Sequence, residues 1–596
     1  MKLSDYVFQF LAKQGVKHVF TVSGGGCMHL VDSLGQCKDL EYVCTLHEQA
    51  AAMAAETYAK LNENLGVALV TSGPGGTNAL TGTAGAWLDS TACVFLSGQV
   101  KRADMIGETG VRQMGVQELD IVSVVKSMTK YAVVVMDPES IRYHMEKAVY
   151  LARSGRPGPV WIDIPLDVQA AQVDPDSLPG FTPPAEPAPP VSLADQVAKT
   201  IELINRAERP ILLVGNGVRL ARARHELQEL IDRLQIPVLL TWLSHDLLPE
   251  THDLLVGRPG PVAPRGANFA LQNSDCLLSV GARLDMVMTG YSHDRFARAA
   301  TKIMVDVDET EIRKMNTPIA VPVCADAKVF LQEMLRQSGK IEKRPRAEWM
   351  ARCREWKTKY PLVLPEFRAE KLVSTYVLTD ALSDELAPSD VVVSGSSGAG
   401  IEIFLLVFRV KEGQRVLVTT ALGAMGYGLP ASIGACLASG RQRTILVDGD
   451  GGLQLNIQEL ETLARLQLPV KVFVLSNAGY ASIRTSQSRY FGRLTGADSS
   501  SGVTLPELSK IATAFGLPFR RITDQSNLNA EIREVLNLPG PVLCEVMTPP
   551  EQIRAPSLSS LQRPDGSMIS KPLEDLWPFL DRQEFLSNMI IPPVEE

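Results

Sequence analysis

The chain has 596 residues, 45% of them hydrophobic and 21% charged; this exceeds what one hydrophobic core usually supports and suits three or four domains. A net charge of −8 with no long basic run argues against nucleic acid as a partner. Nine dispersed cysteines without a CxxC pair read as reduced thiols of a cytoplasmic protein, and no stretch of about 18 apolar residues exists to span a membrane.

The opening segment carries Asp5 in its first turn and no uninterrupted apolar core, so no signal peptide is expected. In a first α/β block, residues 41–46 and 67–71 predict buried strands, and the Ala-rich stretch 49–61 between them predicts a helix. Glu48 sits at that strand–helix junction, where a first-turn acid favoured by the helix dipole is the ordinary explanation. A proline-dense stretch, 174–192, holds Pro175, Pro179, Pro183, Pro184, Pro187, Pro189 and Pro190 and predicts an extended connector.

A second block predicts strands at 210–214, 237–241, 276–280 and 302–307. Residues 337–371, charged and punctuated by Pro345, Pro361 and Pro365, predict a linker with a polar helix. A third block predicts strands at 391–394, 444–447, 470–475 and 542–546. From Ser560 the chain is irregular and predicts an extended tail over the surface. The expected layout is three Rossmann-like parallel-sheet domains, 1–173, 193–336 and 372–559, with linkers 174–192 and 337–371 and a tail 560–596. No residue-level similarity between the blocks supports an internal repeat.

The sharpest signal lies in the third block. Strand 444–447 runs into Asp448-Gly449-Asp450-Gly451-Gly452, helix 457–466 follows, and strand 470–475 ends at Ser476-Asn477. Consecutive strands of a βαβ unit commonly lie side by side, so Asp450 and Asn477 are expected as neighbours at the carboxyl edge, where α/β sheets bind ligands. A carboxylate, an amide oxygen and a backbone carbonyl make a hard, oxygen-only site suited to Mg²⁺ when phosphates complete its octahedron. The glycines let N–H groups approach a diphosphate at a helix start. The plain alternative is a glycine-rich turn with a helix-capping Asp.

Gly449-Asp450-Gly451, then 25 residues, then Asn477 resembles the thiamine-diphosphate fingerprint. Residues 47–60, 71–90, 97–100 and 156–165 are similar to the pyrimidine-binding domain of the acetolactate synthase family, and the resemblance runs to about Pro550. It implies that Asp450, the Asn477 side chain and the Gly479 carbonyl hold the metal. Ser396, Ser397, Gly398, Ala399, Gly423, Met425, Gly451, Gly452 and Tyr480 would line the coenzyme, with Met425 propping its bent shape rather than serving as a core methionine. Glu48 would activate the aminopyrimidine from a neighbouring subunit, which implies at least a homodimer and leaves a tetramer open, and Gln117 would face the reacting carbon.

In the middle block the resemblance implies FAD in a non-redox role. Arg156, Gly215, Asn216, Gly217, Thr241, Trp242, Leu243, Gly281, Arg283, Asp285, Asp306, Val307, Asp326 and Ala327 would bind it. The family's triple glycine is here Gly-Asn-Gly and its Asp-Arg pair is Met286-Val287, so a domain that no longer binds a nucleotide is the alternative.

The acceptor side departs from the family too. Ser486 stands for a tryptophan, Val116 for a phenylalanine and Leu166 for a lysine. One methylene in an apolar pocket carries roughly 1–3 kcal/mol of discrimination, so these changes predict a larger carbonyl acceptor. The expected activity is transfer of a two-carbon unit from pyruvate to a bulky ketone or aldehyde, as in enzymes that branch nucleotide-linked 4-keto-deoxysugars in yersiniose-type biosynthesis. The alternatives are an acetolactate synthase catalytic subunit, a 2-oxo acid decarboxylase or oxidase, and a non-catalytic regulator.

Overall fold

The computed structural model describes residues 1–185, 192–396, 398–562 and 565–594. Pro187, Pro189, Pro190 and Ser397 lie outside the described residues, as does the side chain of Ala399. Three six-stranded parallel sheets carry the fold. The first holds β1 (His18–Thr21), β2 (Glu41–Cys44), β3 (Gly66–Val70), β4 (Cys93–Gln99), β5 (Tyr131–Val134) and β6 (Val160–Pro165). The second holds β7 (Pro210–Val214), β8 (Val238–Leu240), β9 (Leu255–Gly257), β10 (Cys276–Val280), β11 (Thr301–Asp306) and β12 (Val321–Cys324). The third holds β13 (Val391–Ser394), β14 (Arg415–Leu417), β15 (Thr444–Gly449), β16 (Val470–Ser476), β17 (Phe519–Ile522) and β18 (Val542–Met547). Central strands such as β3, β7 and β15 are buried throughout, because helices cover both faces of a parallel sheet.

The first sheet runs β2-β1-β3-β4-β6-β5 and the third β14-β13-β15-β16-β18-β17, so strands of equal rank occupy equal places. The two sheets therefore repeat one topology with no repeat in the residues. The second sheet runs β12-β11-β10-β7-β8-β9, which reverses direction between β10 and β7 and is the doubly wound dinucleotide order.

The chain forms two compact units. One contains the first and third sheets: residues 1–185, 389–401 and 415–550. Within it, helix Glu48–Asn62 lies along helix Gly428–Ala438, close enough that a Cβ on Gly434 would stand 2.1 Å from the Ala54 carbonyl oxygen. Along the same helix the half-buried Lys60 pairs with Glu56 (2.7 Å) and Asp89 (2.8 Å), and the Tyr427 and Thr57 hydroxyls meet at 3.0 Å.

The other unit contains the second sheet with residues 186–388, 402–414 and 551–596. Here the tail departs from expectation. It forms a hairpin of β19 (Ser560–Gln562) and β20 (Met568–Ser570), then helix Arg582–Ser587, and it buries Leu573, Leu576, Phe585 and Ile591. Asn588 is fully buried and anchors it: its carbonyl accepts from Asn273 (3.0 Å) and its side-chain oxygen from the Trp356 indole (2.9 Å). The expected polar helix of 337–371 is Ala347–Lys359, and it buries Trp349, Cys353 and Trp356 in the same core. Among the strands, β2 is an edge with only Val43 buried, not the buried strand expected over 41–46, because β1 pairs with one side of it alone. The nine cysteines are free, and among the described residues no helix is long and apolar enough to cross a membrane.

Candidate active site

The pairing of β15 with β16 sets Gly449 opposite Leu475, so the next residues of both strands meet beyond the carboxyl edge. Asp450 opens the turn Asp450–Leu453 there, which also buries Gly451 and Gly452. Its Oδ2 accepts the N–H groups of Asn477 (3.0 Å) and Ala478 (2.8 Å), and its Oδ1 that of Gly451 (2.8 Å). Burial pushes this carboxyl up to about 6, against the pull of those N–H donors. Asn477 is buried, and its Oδ1 meets no hydrogen-bond partner among the described residues. An orphaned buried oxygen of this kind costs about 1–3 kcal/mol, which a cation offsets. Ala478 (φ 61°) and Gly479 (φ 136°) turn the chain sharply. A Cβ at Gly479 would stand 2.4 Å from the Ala497 carbonyl oxygen, so only glycine fits. Among the described residues no three His, Cys, Asp or Glu side chains group to hold a metal, and this site has one carboxylate. Its donors are hard oxygens, which fits a Mg²⁺ whose remaining ligands come from phosphate.

Around this centre, the Ser396 hydroxyl donates to the Ala424 carbonyl, tying the turn after β13, with Gly398 beyond it, to Gly423 and Met425. Met425 is more than a third exposed, which removes the core-methionine explanation. Tyr480 follows Gly479, half-buried, and its N–H donates to Ala497 (2.8 Å).

Glu48 begins helix Glu48–Asn62, whose first turn is capped by His47 accepting from the Gln49 N–H. The carboxylate does not face solvent: it is buried and accepts from the Asn78 amide at 3.0 Å. Gln117 is exposed and held at φ 60°, a conformation few residues other than glycine adopt. Its neighbour Glu118 fixes that loop, since the buried carboxylate accepts the N–H groups of Ile106, Met114 (3.0 Å) and Gly115 (3.0 Å). Gln99 bonds the Leu119 carbonyl (2.8 Å) and Asp163 (3.0 Å), and burial pushes the Asp163 carboxyl up to about 7. Sequence reasoning missed Glu118, Gln99 and Asp163; the visible signal was an acid in the otherwise apolar strand β6.

Of the acceptor residues, Val116 is 87% exposed on the Gln117 loop. Leu166 is half-buried after β6, and Ser486 is half-buried with its hydroxyl turned back on the Ser482 carbonyl (2.9 Å). The residues flanking Glu48 bond the segment that follows Asp450: the Asn456 amide donates to Gln49 (2.9 Å) and the Leu46 N–H to the Glu459 carboxylate (2.9 Å). Arg156 donates to the Ser90 hydroxyl at 2.9 Å.

In the second sheet the expected nucleotide residues follow the ends of β7, β8, β10, β11 and β12, along one carboxyl edge. The loops after β7 and β10 are packed together: Gly217 N–H donates to Gly281 (2.9 Å), and a Cβ on Gly215 would stand 2.2 Å from the Gly281 oxygen. These glycines serve that contact whether or not a nucleotide binds. Asn216 accepts from Arg219 (2.9 Å), which also donates to the Leu243 carbonyl (3.0 Å) and pairs with Asp246. The Thr241 and Ser244 hydroxyls meet at 3.1 Å around the turn that carries Trp242. Arg283 pairs with Asp285 (3.0 Å), Asp306 accepts from the Asp308 N–H (2.9 Å) beside exposed Val307, and Asp326 caps the helix that begins at Ala327.

Comparison with known proteins gives this geometry a family. Residues 1–124 match the N-terminal TPP binding domain of thiamine pyrophosphate enzymes, residues 197–334 their central domain and residues 400–546 their C-terminal TPP binding domain. The chain is 34% identical over 573 residues to acetolactate synthase 2, chloroplastic, of Nicotiana tabacum, covering 94% of this chain and 84% of that one. It is 32% identical over 549 residues to the acetolactate synthase isozyme 1 large subunit of Escherichia coli (strain K12), covering 92% and 94%. A likeness of 32% over 550 residues joins it to the acetolactate synthase large subunit of Cyanidium caldarium, covering 90% and 92%. Matched along nearly its whole length and through all three of its sheets, the chain belongs to the thiamine pyrophosphate enzyme family, among the relatives of the acetolactate synthases.

Proposed function

We propose that this enzyme is a carboligase that takes a two-carbon unit from pyruvate and delivers it to a bulky ketone or aldehyde, such as a nucleotide-linked 4-keto-deoxysugar. The coenzyme supplies the electron sink that lets a 2-oxo acid lose CO₂ and pass on its remainder. Asp450, the Asn477 amide oxygen and the Gly479 carbonyl hold Mg²⁺ and through it the diphosphate; the orphaned Asn477 oxygen is the observation that carries this part. Ser396–Ala399, Gly423, Met425, Gly451, Gly452 and Tyr480 enclose the coenzyme. Glu48 takes a proton-sharing hydrogen bond from the pyrimidine ring, and Gln117, fixed by Glu118, faces the reacting carbon.

In this reading two copies of the chain complete the site, Glu48 of one protomer facing the coenzyme held by the other. The doubly wound order of the second sheet, reversing at Gly215 and Gly281, supports FAD at that edge with no redox task. Small or open side chains at Ser486 and Val116 support the large acceptor. A second reading, acetolactate synthase itself, is favoured by the names of relatives at 32–34% identity.

Mass spectrometry of the purified enzyme with pyruvate and a panel of ketosugars and oxo acids separates the two. A ketosugar enlarged by the two-carbon remainder of pyruvate, with one CO₂ released per adduct, is the expected result. Acetolactate from pyruvate alone, with no ketosugar product, refutes the large-acceptor reading, and free acetaldehyde as the sole product points to a decarboxylase.

A further inference from the structure

Arg484 lies on helix Ala481–Phe491, in a segment that otherwise faces outward, yet its side chain is buried. Its guanidinium reaches back to the loop after β16. One nitrogen donates to the Asn477 carbonyl (2.8 Å) and to the Pro550 carbonyl (2.7 Å), and the other to the Ala478 carbonyl (3.1 Å). On the opposite side of that loop, Asp450 takes the N–H groups of Asn477 and Ala478. The Asn477–Ala478 peptide is thus held at both its carbonyl and its N–H, and the peptides before and after it at one group each, while the chain passes through positive φ at Ala478 and Gly479.

We infer that Arg484 is a positioning residue for the metal loop: by occupying the Asn477 and Ala478 carbonyls it leaves the Asn477 amide oxygen and the Gly479 carbonyl as the oxygens offered to the cation. The inference rests on the proposed reading of Asp450, Asn477 and Gly479 as metal ligands. A planar fork can hold several carbonyls at fixed angles, which a lysine ammonium, as a point charge, cannot. The consequence is selectivity as well as affinity. Mg²⁺ demands near-octahedral geometry at short distances, whereas Ca²⁺ accepts longer, more irregular bonds, so a loosened loop penalises Mg²⁺ more than Ca²⁺.

The test titrates MgCl₂ and, separately, CaCl₂ into the full chain with saturating thiamine diphosphate, followed by calorimetry and intrinsic fluorescence, for wild type, Arg484→Lys, Arg484→Met and Asp450→Ala. Outer-shell partners of metal ligands typically carry roughly 10–100-fold in metal affinity. Arg484→Met is expected to lose Mg²⁺ affinity in that range, Ca²⁺ affinity several-fold less, and Arg484→Lys to fall between Arg484→Met and wild type. The inference is overturned if Arg484→Met binds Mg²⁺ within about threefold of wild type, or if Mg²⁺ and Ca²⁺ weaken equally, as a general loosening of the fold would cause. Should Arg484→Met not fold, Arg484→Lys is read instead, and the inference is overturned if it leaves Mg²⁺ affinity unchanged or weakens Mg²⁺ and Ca²⁺ equally. Asp450→Ala keeps the two layers apart: if it binds Mg²⁺ like wild type, the metal-site reading itself falls; if it loses Mg²⁺ while the Arg484 variants do not, only this inference falls.

Discussion

Replacing Glu56 by Gln reads the charge cluster formed by the Glu48-bearing helix with Asp89. Glu56 and Asp89 are buried and share the half-buried Lys60, so the pocket carries one net negative charge when both acids are ionised. Burial, partly offset by Lys60 and reinforced by Asp89, pushes the Glu56 carboxyl from 4.5 up to about 7. A carboxyl raised on folding stabilises the native state fully below its unfolded value and loses that contribution as pH rises through its folded value. Here the window is 4.5 to about 7, and the linkage is worth about 3 kcal/mol at 1.36 kcal/mol per pH unit. Gln keeps the shape of a protonated Glu and does not titrate. The wild type is therefore expected to lose up to about 3 kcal/mol relative to Glu56→Gln between about pH 5 and pH 8. Urea unfolding of both proteins at the two pH values, followed by circular dichroism, measures the gap. A gap that stays constant, or that moves in favour of the wild type as pH rises, refutes the reasoning.

Three further outcomes are expected. Gly434→Ala drives a methyl into the Ala54 carbonyl and is expected to cost about 1–3 kcal/mol in urea unfolding, as overpacked cores do. Glu118→Ala leaves the buried Gly115 N–H without its acceptor, at about 1–3 kcal/mol, and frees the Gln117 loop; limited proteolysis is expected to cut within residues 106–118 faster than in wild type, with Mg²⁺-thiamine diphosphate affinity unchanged. Phe585→Ala removes a buried ring from the core of the second unit, at about 3–5 kcal/mol, and is expected to expose the tail to carboxypeptidase and to lower the melting temperature.

What the sequence made legible was what local pattern controls. Continuous apolar runs located most central strands, and the βαβ logic put Asp450 beside Asn477, where their mutual hydrogen bond now lies. Strands escaped at every length: β9 and β14 have three residues each, too few to carry a period, whereas β4 and β6, with seven and six, end in polar or proline residues that interrupt their apolar runs. The tail was misjudged because prolines and polar residues dominate residues 560–596, while its anchors, Leu573, Leu576 and Phe585, are spaced without helical or strand periodicity. Trp349 and Trp356 hid within a charged helix for the same reason: two rings at a seven-residue spacing bury one narrow stripe of an otherwise polar surface. The partners of the site were illegible in principle. Arg484 reads as an exposed helical arginine until the loop after β16 folds beneath it, and Gln99 meets Asp163 across two strands 64 residues apart. Long-range hydrogen bonds leave no periodic trace in a single sequence.

The proposed chemistry depends on Glu48 as the carboxylate that activates the coenzyme, and one rate tests it. CO₂ release from pyruvate is measured with saturating thiamine diphosphate and Mg²⁺ for wild type and Glu48→Gln, with coenzyme binding checked in both. The predicted result is a loss of at least about 100-fold in Glu48→Gln with the coenzyme still bound, the scale of a general acid–base contribution. Turnover within about twofold of wild type, with the coenzyme bound, would contradict it.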